Sequence, residues 1–202
     1  MVDLLILGLN GSPHREGNTV ALLQAALQAA GEIGAETRIL HVAEALKGVD
    51  QPFCTACTPN CETACAKDTN LIDAFEIMKK ADGIIMGSPV HFGSLSAQLK
   101  AFWDKSRALR NHRSLVNVVG GAVSVGTSRF GGQEKTIGAM HDIMLVQGMT
   151  VVGDGFFDDD AGHHGACAQK PAAADQNGLN RAAIMGRRVA ELAEATIELR
   201  RR

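Results

Sequence analysis

The chain has 202 residues, 46% of them hydrophobic, with 20 Lys plus Arg against 22 Asp plus Glu. That length and apolar share suit one domain with a sizeable core, since domains usually run to about 100–200 residues. A charge near zero with no basic block gives no electrostatic case for nucleic acid or an anionic membrane surface as partner, and no apolar run reaches the roughly 18 residues that span a bilayer.

The opening, MVDLLILGLNGSPH, has no basic n-region, so no signal peptide is expected and the expected location is the cytoplasm. Leu4–Leu9 is an apolar run that predicts a buried parallel strand. After the loop Gly11–Thr19, the spacing of Val20, Leu23, Leu27 and Ala30 predicts a helix to Glu32. Thr37–Val42 is the second expected strand, and residues 48–68 are irregular and cysteine-rich. Leu71, Ile72, Phe75 and Met78 form one face of a helix that stops by Ala81. Gly83–Gly87 is a third strand, Ser94–Leu109 a helix, Leu115–Val125 a Val-rich fourth strand, and Gln133–Gln147 a helix. Thr150–Val152 begins a fifth strand, Asp158–Asn177 is a polar loop, and Arg181–Arg200 is a closing amphipathic helix. Strands alternating with helices predict a parallel sheet covered on both faces, an α/β three-layer sandwich. For five strands with right-handed crossovers the simplest order is 2-1-3-4-5, the flavodoxin-like arrangement. The whole chain, 1–202, reads as one domain with a cysteine-rich insertion at about 50–68.

Two loops carry the chemistry. In GSPHREGNT, Gly11 and Gly17 permit conformations closed to other residues. Ser12, Asn18 and Thr19 offer side-chain donors, and His14 or Arg15 adds positive charge. The loop presents free N–H groups at a helix N-terminus, where the dipole favours an anion such as a terminal phosphate. Neither GxGxxG nor GxxxxGK[ST] is present, which argues against a dinucleotide fingerprint and an NTPase. The plainer alternative is a structural strand–helix turn capped by Asn18 or Thr19. The second loop follows strand three as Ser88, Pro89, Val90, His91, Phe92 and Gly93. A planar ring placed there meets backbone polar groups at its edge and His91 or Phe92 on a face; otherwise Phe92 simply packs in the core.

GSPHREGNT together with GSPVHFGSLSAQLKAFWDK resembles the NADPH-dependent FMN reductase superfamily, in its iron–sulfur flavoprotein branch, over residues 4 to about 152. The resemblance implies that Ser12, His14 or Arg15, Gly17, Asn18 and Thr19 hold the FMN phosphate. Pro89, Val90, His91, Phe92 and Gly93 would border the isoalloxazine. Gly126, Thr127, Ser128, Gly131 and Gly132, in GTSRFGGQE, would close the ring's other edge. The family's common aromatic after SPV is Tyr, and this chain has His91, which can titrate near neutrality. His91 is thus the one candidate for a catalytic proton carrier. Family members associate as dimers or tetramers, which implies a homodimer or homotetramer and suggests that Trp103 meets a neighbouring subunit.

Four of the five cysteines, Cys54, Cys57, Cys61 and Cys65, fall within twelve residues as C-x2-C-x3-C-x3-C. In a cytoplasmic protein such a cluster points to metal or redox chemistry rather than disulfides. The same branch carries a compact motif, commonly C-x2-C-x2-C-x4-C, of equal total span with the third cysteine one position earlier. That implies a [4Fe–4S] cluster, which takes four cysteine ligands. Tetrahedral zinc takes the same ligands. Free thiols are the third option, since Cys57, Cys61 and Cys65 would align on one face of a helix. His163, His164 and Cys167 read as loop residues, and Arg187, Arg188 and Arg200–Arg202 as the solvated side and end of the last helix.

The expected function is FMN-dependent electron transfer between a small-molecule or protein donor and acceptor, with NAD(P)H or a ferredoxin-like protein as possible donor. The alternatives are a cluster-free NAD(P)H-dependent reductase of flavins, quinones or similar acceptors, and a non-enzymatic flavodoxin-like regulatory protein.

Overall fold

A computed structural model describes residues 4–200. Strand β1 (Leu5–Asn10) is apolar on both faces because helices cover both sides of the sheet. It pairs in parallel with β2 (Glu36–His41) and β3 (Gly83–Pro89), and β3 pairs in parallel with β4 (Val119–Gly126). Short β5 (Thr150–Val151) completes the order β2-β1-β3-β4-β5, the order expected as the simplest for five parallel strands.

The outer strand position departs from expectation. β5 pairs with the start of β4, and a second segment, β6 (Ala166–Gln169), pairs in parallel with the end of β4 through Val123↔Ala166 to Gly126↔Gln169. One edge is thus filled by two pieces separated by residues 152–165, so the sheet has six strands. The stretch 158–177, read as loop throughout, contains β6 and the start of the last helix. ACAQ is too short and too small-chained to show a period, and the free edge of β4 supplies its hydrogen bonds.

Helix α1 (Asn18–Glu32) and α7 (Gln176–Ala195) cover one face. Their core takes Ile6, Ile85, Val119 and Val123 from the strands and Leu22, Leu23, Met185 and Val189 from the helices. The other face takes Leu7, Leu9, Ile84 and Met86, covered by α3 (Asn70–Met78), α4 (Ala97–Lys105) and α6 (Gln133–Val146). The one-turn α2 (Val42–Ala45) follows β2 directly. α1 and α7 approach so closely at Gly186 that a Cβ there would stand 1.8 Å from the Ala26 carbonyl oxygen.

The helix expected over Ser94–Leu109 is two. α4 starts only after Ser96, whose Oγ accepts from Leu99 N–H, and it ends at Ser106 before α5 (Arg107–Asn111). Ser106 Oγ donates back to the Trp103 carbonyl at 2.7 Å and accepts from Gln147 Nε2 at 2.9 Å, which breaks the ladder. Trp103, expected at a subunit boundary, is only 4% exposed and packs edge-on against Phe102. α7 starts at Gln176 because Asp175 Oδ1 caps Gly178 N–H, five residues before the periodicity becomes visible. Arg200, expected in solvent, is buried against Asp82, with Nε to Oδ1 at 3.2 Å. Arg201 and Arg202 lie outside the described residues. No helix among the described residues is long and apolar enough to cross a membrane.

Candidate cofactor site

β1, β3 and β4 all point their carboxyl ends at the same edge of the sheet, beside the point where strand order reverses. Ligands of open α/β sheets bind there. The loop after β1 is shaped by a residue the motif reading passed over. Asn10, fully buried at the end of β1, accepts from Ser12 N–H at 3.0 Å and donates from Nδ2 to the His14 carbonyl at 2.8 Å. Nδ2 also stands 3.0 Å from His41 Nδ1. Burial first, then the nearby Arg15 cation, hold His41 below the ordinary histidine pKa, with Glu44 partly opposing. With Asn10 Nδ2 as the donor, this pairing uses the His41 tautomer whose Nδ1 is free to accept. A single polar residue closing the run LLILGLN was the available signal.

His14 N–H donates to Ser12 Oγ at 3.2 Å, and His14, Arg15 and Gly17 face solvent. Gly17, at φ +124°, is the residue before α1 and has no side chain to cap it. The first-turn N–H groups of α1, at the positive end of the helix dipole, thus receive no side-chain cap from Gly17. Asn18 Oδ1 accepts from Ala172 N–H at 2.8 Å, which ties the segment before α7 to this loop and leaves the Nδ2 group as the side chain's donor. Thr19 is buried beneath the loop.

The second loop adjoins the first. Gly11 N–H donates to the Gly87 carbonyl at 2.8 Å, and Ser96 Oγ donates to the Gly11 carbonyl. Pro89 and Val90 are half-buried, while His91, Phe92 and Gly93 are exposed. His91 and Ser94 exchange both backbone hydrogen bonds, at 2.9 and 3.1 Å, and Phe92 (φ +50°) and Gly93 (φ +77°) make the tight turn between them. Phe92 projects into solvent, so the core-packing alternative for it does not hold. The third loop meets the second where Gly132 faces Gly93: a Cβ on Gly132 would lie 3.3 Å from the Gly93 Cα. Gly126 is buried, Thr127 and Ser128 are exposed, and Gly131 is half-buried. Buried Gln133, read only as a helix start, clamps this loop. Its Oε1 accepts from Gly131 N–H at 2.8 Å, and its Nε2 donates to the Ser128 carbonyl at 2.7 Å and the Ala168 carbonyl at 3.3 Å.

The four clustered cysteines line one small cavity of about 60 Å³ together with Lys105 and Arg107. They do not form the helical stripe that free thiols allowed: residues 50–63 carry no helix or strand, and only Cys65 lies in a single 3-10 turn, Ala64–Ala66. Among the described residues no three His, Cys, Asp or Glu side chains are drawn together closely enough to hold a metal ion. Four thiols facing one cavity beside two cations are still a donor set suited to thiolate ligation, which places negative charge there. Cys167 differs: burial first, then Glu134 and Asp154, push its thiol up to about 12, so it stays protonated and inert.

The sequence profile of the NADPH-dependent FMN reductase family matches residues 4–164. Over 192 residues the chain is 42% identical to an iron–sulfur flavoprotein of Methanocaldococcus jannaschii, covering 93% of this chain and 96% of that protein. An iron–sulfur flavoprotein of Methanosarcina thermophila is 37% identical over 190 residues, covering 94% and 95%. In fold, the chain matches a flavodoxin-like, WrbA-like protein from Agrobacterium tumefaciens with a TM-score of 0.67 at 19% identity, over 96% of this chain and 99% of that one. With its three loops at the carboxyl edge of the sheet and relatives aligned over nearly their full length, the chain belongs to the NADPH-dependent FMN reductase family, among its iron–sulfur flavoproteins.

Proposed function

We propose that this FMN-dependent oxidoreductase transfers electrons between its flavin and a [4Fe–4S] cluster held by Cys54, Cys57, Cys61 and Cys65. The observation that carries the reading is the convergence of three loops from adjacent parallel strands, with the cysteine cavity on the same chain. Ser12, His14 or Arg15, Gly17, Asn18 and Thr19 hold the phosphate at the start of α1. Pro89, Val90, His91, Phe92 and Gly93 border the ring on one side, and Gly126, Thr127, Ser128, Gly131 and Gly132 close the other. FMN, when bound, exchanges electrons singly or in pairs, and a cluster exchanges them one at a time. The protein's own work is to orient and to supply protons: Asn10 and Gln133 set the loops, and exposed His91 carries a proton to or from the ring edge. Donor and acceptor are small molecules or proteins, with NAD(P)H or a ferredoxin-like protein of suitable chemistry as reductant. A homodimer or homotetramer is the assembly we propose for the chain. A cytoplasmic setting suits cysteines that must stay reduced.

The separation of the cysteines favours one second reading, a cluster-free NAD(P)H-dependent reductase of flavins or quinones. Anaerobic reconstitution of the protein with FMN, ferrous iron and sulfide separates the two. Bound iron and sulfide, with broad visible absorption added to the flavin bands and lost in Cys61→Ser, is the expected result. Bound FMN with no iron, or with zinc in its place, leaves the cluster-free reductase, and failure to bind FMN removes both.

A further inference from the structure

Lys105 is the last residue of α4 and is only 3% exposed. The chain's other paired lysines sit at the surface: Lys47 with Glu44, Lys79 with Glu76 and Lys100 with Asp104. Lys105 is unlike them. Among the described residues no carboxylate forms an ion pair with it, and its Nζ donates instead to Cys65 Sγ at 3.6 Å. Around that contact lie all four clustered cysteines and the half-buried Arg107. Burying an ammonium group without a counter-charge is strongly unfavourable. Four neutral thiols do not supply that charge, whereas four thiolates do.

We propose that Lys105 is the fixed counter-cation of the four-cysteine centre and raises the potential at which that centre accepts an electron. The inference rests on the reading that these cysteines hold an iron–sulfur cluster. Accepting one electron adds one negative charge to the site, and a buried cation already in contact with a ligand sulfur stabilises that state over the oxidised one. Net charge and hydrogen bonds to the sulfurs are among the factors that set cluster potentials. Lys105 supplies both from one atom, and Arg107 adds charge at the rim. The lysine touches a ligand rather than the reacting partners, so it is a positioning and tuning residue.

The test is an anaerobic reductive titration with dithionite of FMN- and iron-loaded protein, with the reduced cluster followed by electron paramagnetic resonance. Wild type is compared with Lys105→Met, Lys105→Arg and Lys100→Met, and flavin content reports that each variant is folded. In Lys105→Met the reduction equilibrium should fall by roughly tenfold, a midpoint lower by about 59 mV for a one-electron couple. Lys105→Arg and the surface control Lys100→Met should stay near wild type. Loss of iron loading in Lys105→Met but not in Lys105→Arg would equally support the counter-charge. An unshifted Lys105→Met, or equal loss of potential or loading in Lys105→Met and Lys105→Arg, overturns it by leaving the lysine a packing role. If wild type itself takes up no iron and sulfide, the cluster reading fails and this inference with it. A loaded wild type with an unshifted Lys105→Met overturns the lysine's role alone.

Discussion

Asn10 shows how much of a binding loop can rest on one side chain. It accepts from Ser12 N–H and donates to the His14 carbonyl, so it fixes the loop on both sides of Pro13, while His41 holds it from the neighbouring strand. Replacing it with Ala removes the partner of the half-buried Ser12 N–H and of the His14 carbonyl, at a cost of about 0.5–1.5 kcal/mol for each hydrogen bond lost. We expect Asn10→Ala to keep the fold by circular dichroism and to weaken FMN binding by roughly tenfold, a factor worth about 1.4 kcal/mol, in a titration of flavin fluorescence. Unchanged FMN affinity would mean that the loop organises itself without Asn10. The motif reading concentrated on Ser12, Asn18 and Thr19 because they are polar and follow a strand. Asn10 and Gln133 were passed over because their importance lies in the backbone groups they reach, and spacing does not reveal those.

Among the elements, α4 runs from the loops at the carboxyl edge of the sheet to the cysteines. Its cap, Ser96, donates to Gly11 in the first loop, and its last residue, Lys105, lines the cysteine cavity. At about 1.5 Å per residue, nine residues set a spacing of roughly 13 Å along one rigid helix. α1 and α7 are set against each other with similar precision, because the small side of α7 at Gly186 meets the Ala26 backbone of α1. A methyl group there forces the helices apart. Gly186→Ala should therefore destabilise the protein by about 1–3 kcal/mol, seen as a lower urea midpoint with little change in slope, despite the higher helix propensity of Ala. A higher midpoint would show that the two helices are free to separate without loss. α1 itself was legible from Val20, Leu23, Leu27 and Ala30, all of which are buried. The break at Ser106 was not, because serine interrupts a helix only when its hydroxyl finds the Trp103 carbonyl and an outside donor such as Gln147.

Across the molecule, the segment that splits the outer strand is anchored through one buried ion pair. Arg181 Nε donates to Asp154 Oδ2 at 2.6 Å, and its other nitrogens reach the Asp154 carbonyl and the carboxylates of Asp159 and Asp160. Burial alone would raise the Asp154 carboxyl. Hydrogen bonds from Arg181 and from His163 N–H outweigh it and hold the carboxyl below the usual value. A carboxylate depressed in the folded state stabilises it above the unfolded pKa of about 3.9 and stops doing so as pH falls through the folded value. Asp154→Asn should cost about 3 kcal/mol at pH 7, because Arg181 loses its buried partner. The gap from wild type should stay constant down to about pH 4 and then narrow as the wild-type carboxylate protonates. A gap that is unchanged well below that, in urea melts across pH, would assign the loss to shape rather than charge.

Sequence by itself determined the layer architecture, the strand order and the family, because hydrophobic periodicity and the GSPHREGNT and GSPVHFG loops are local in the chain. It also placed four thiols within reach of one another. Tertiary structure alone decided that Ala166–Gln169 is a strand, that Trp103 is buried, and that Asn10 and Gln133 shape the loops at the carboxyl edge of the sheet. It alone brought Lys105, forty positions from Cys65, into contact with that sulfur. Each of these depends on a hydrogen-bond partner or a covering surface supplied by distant chain, and neither composition nor spacing records such a partner.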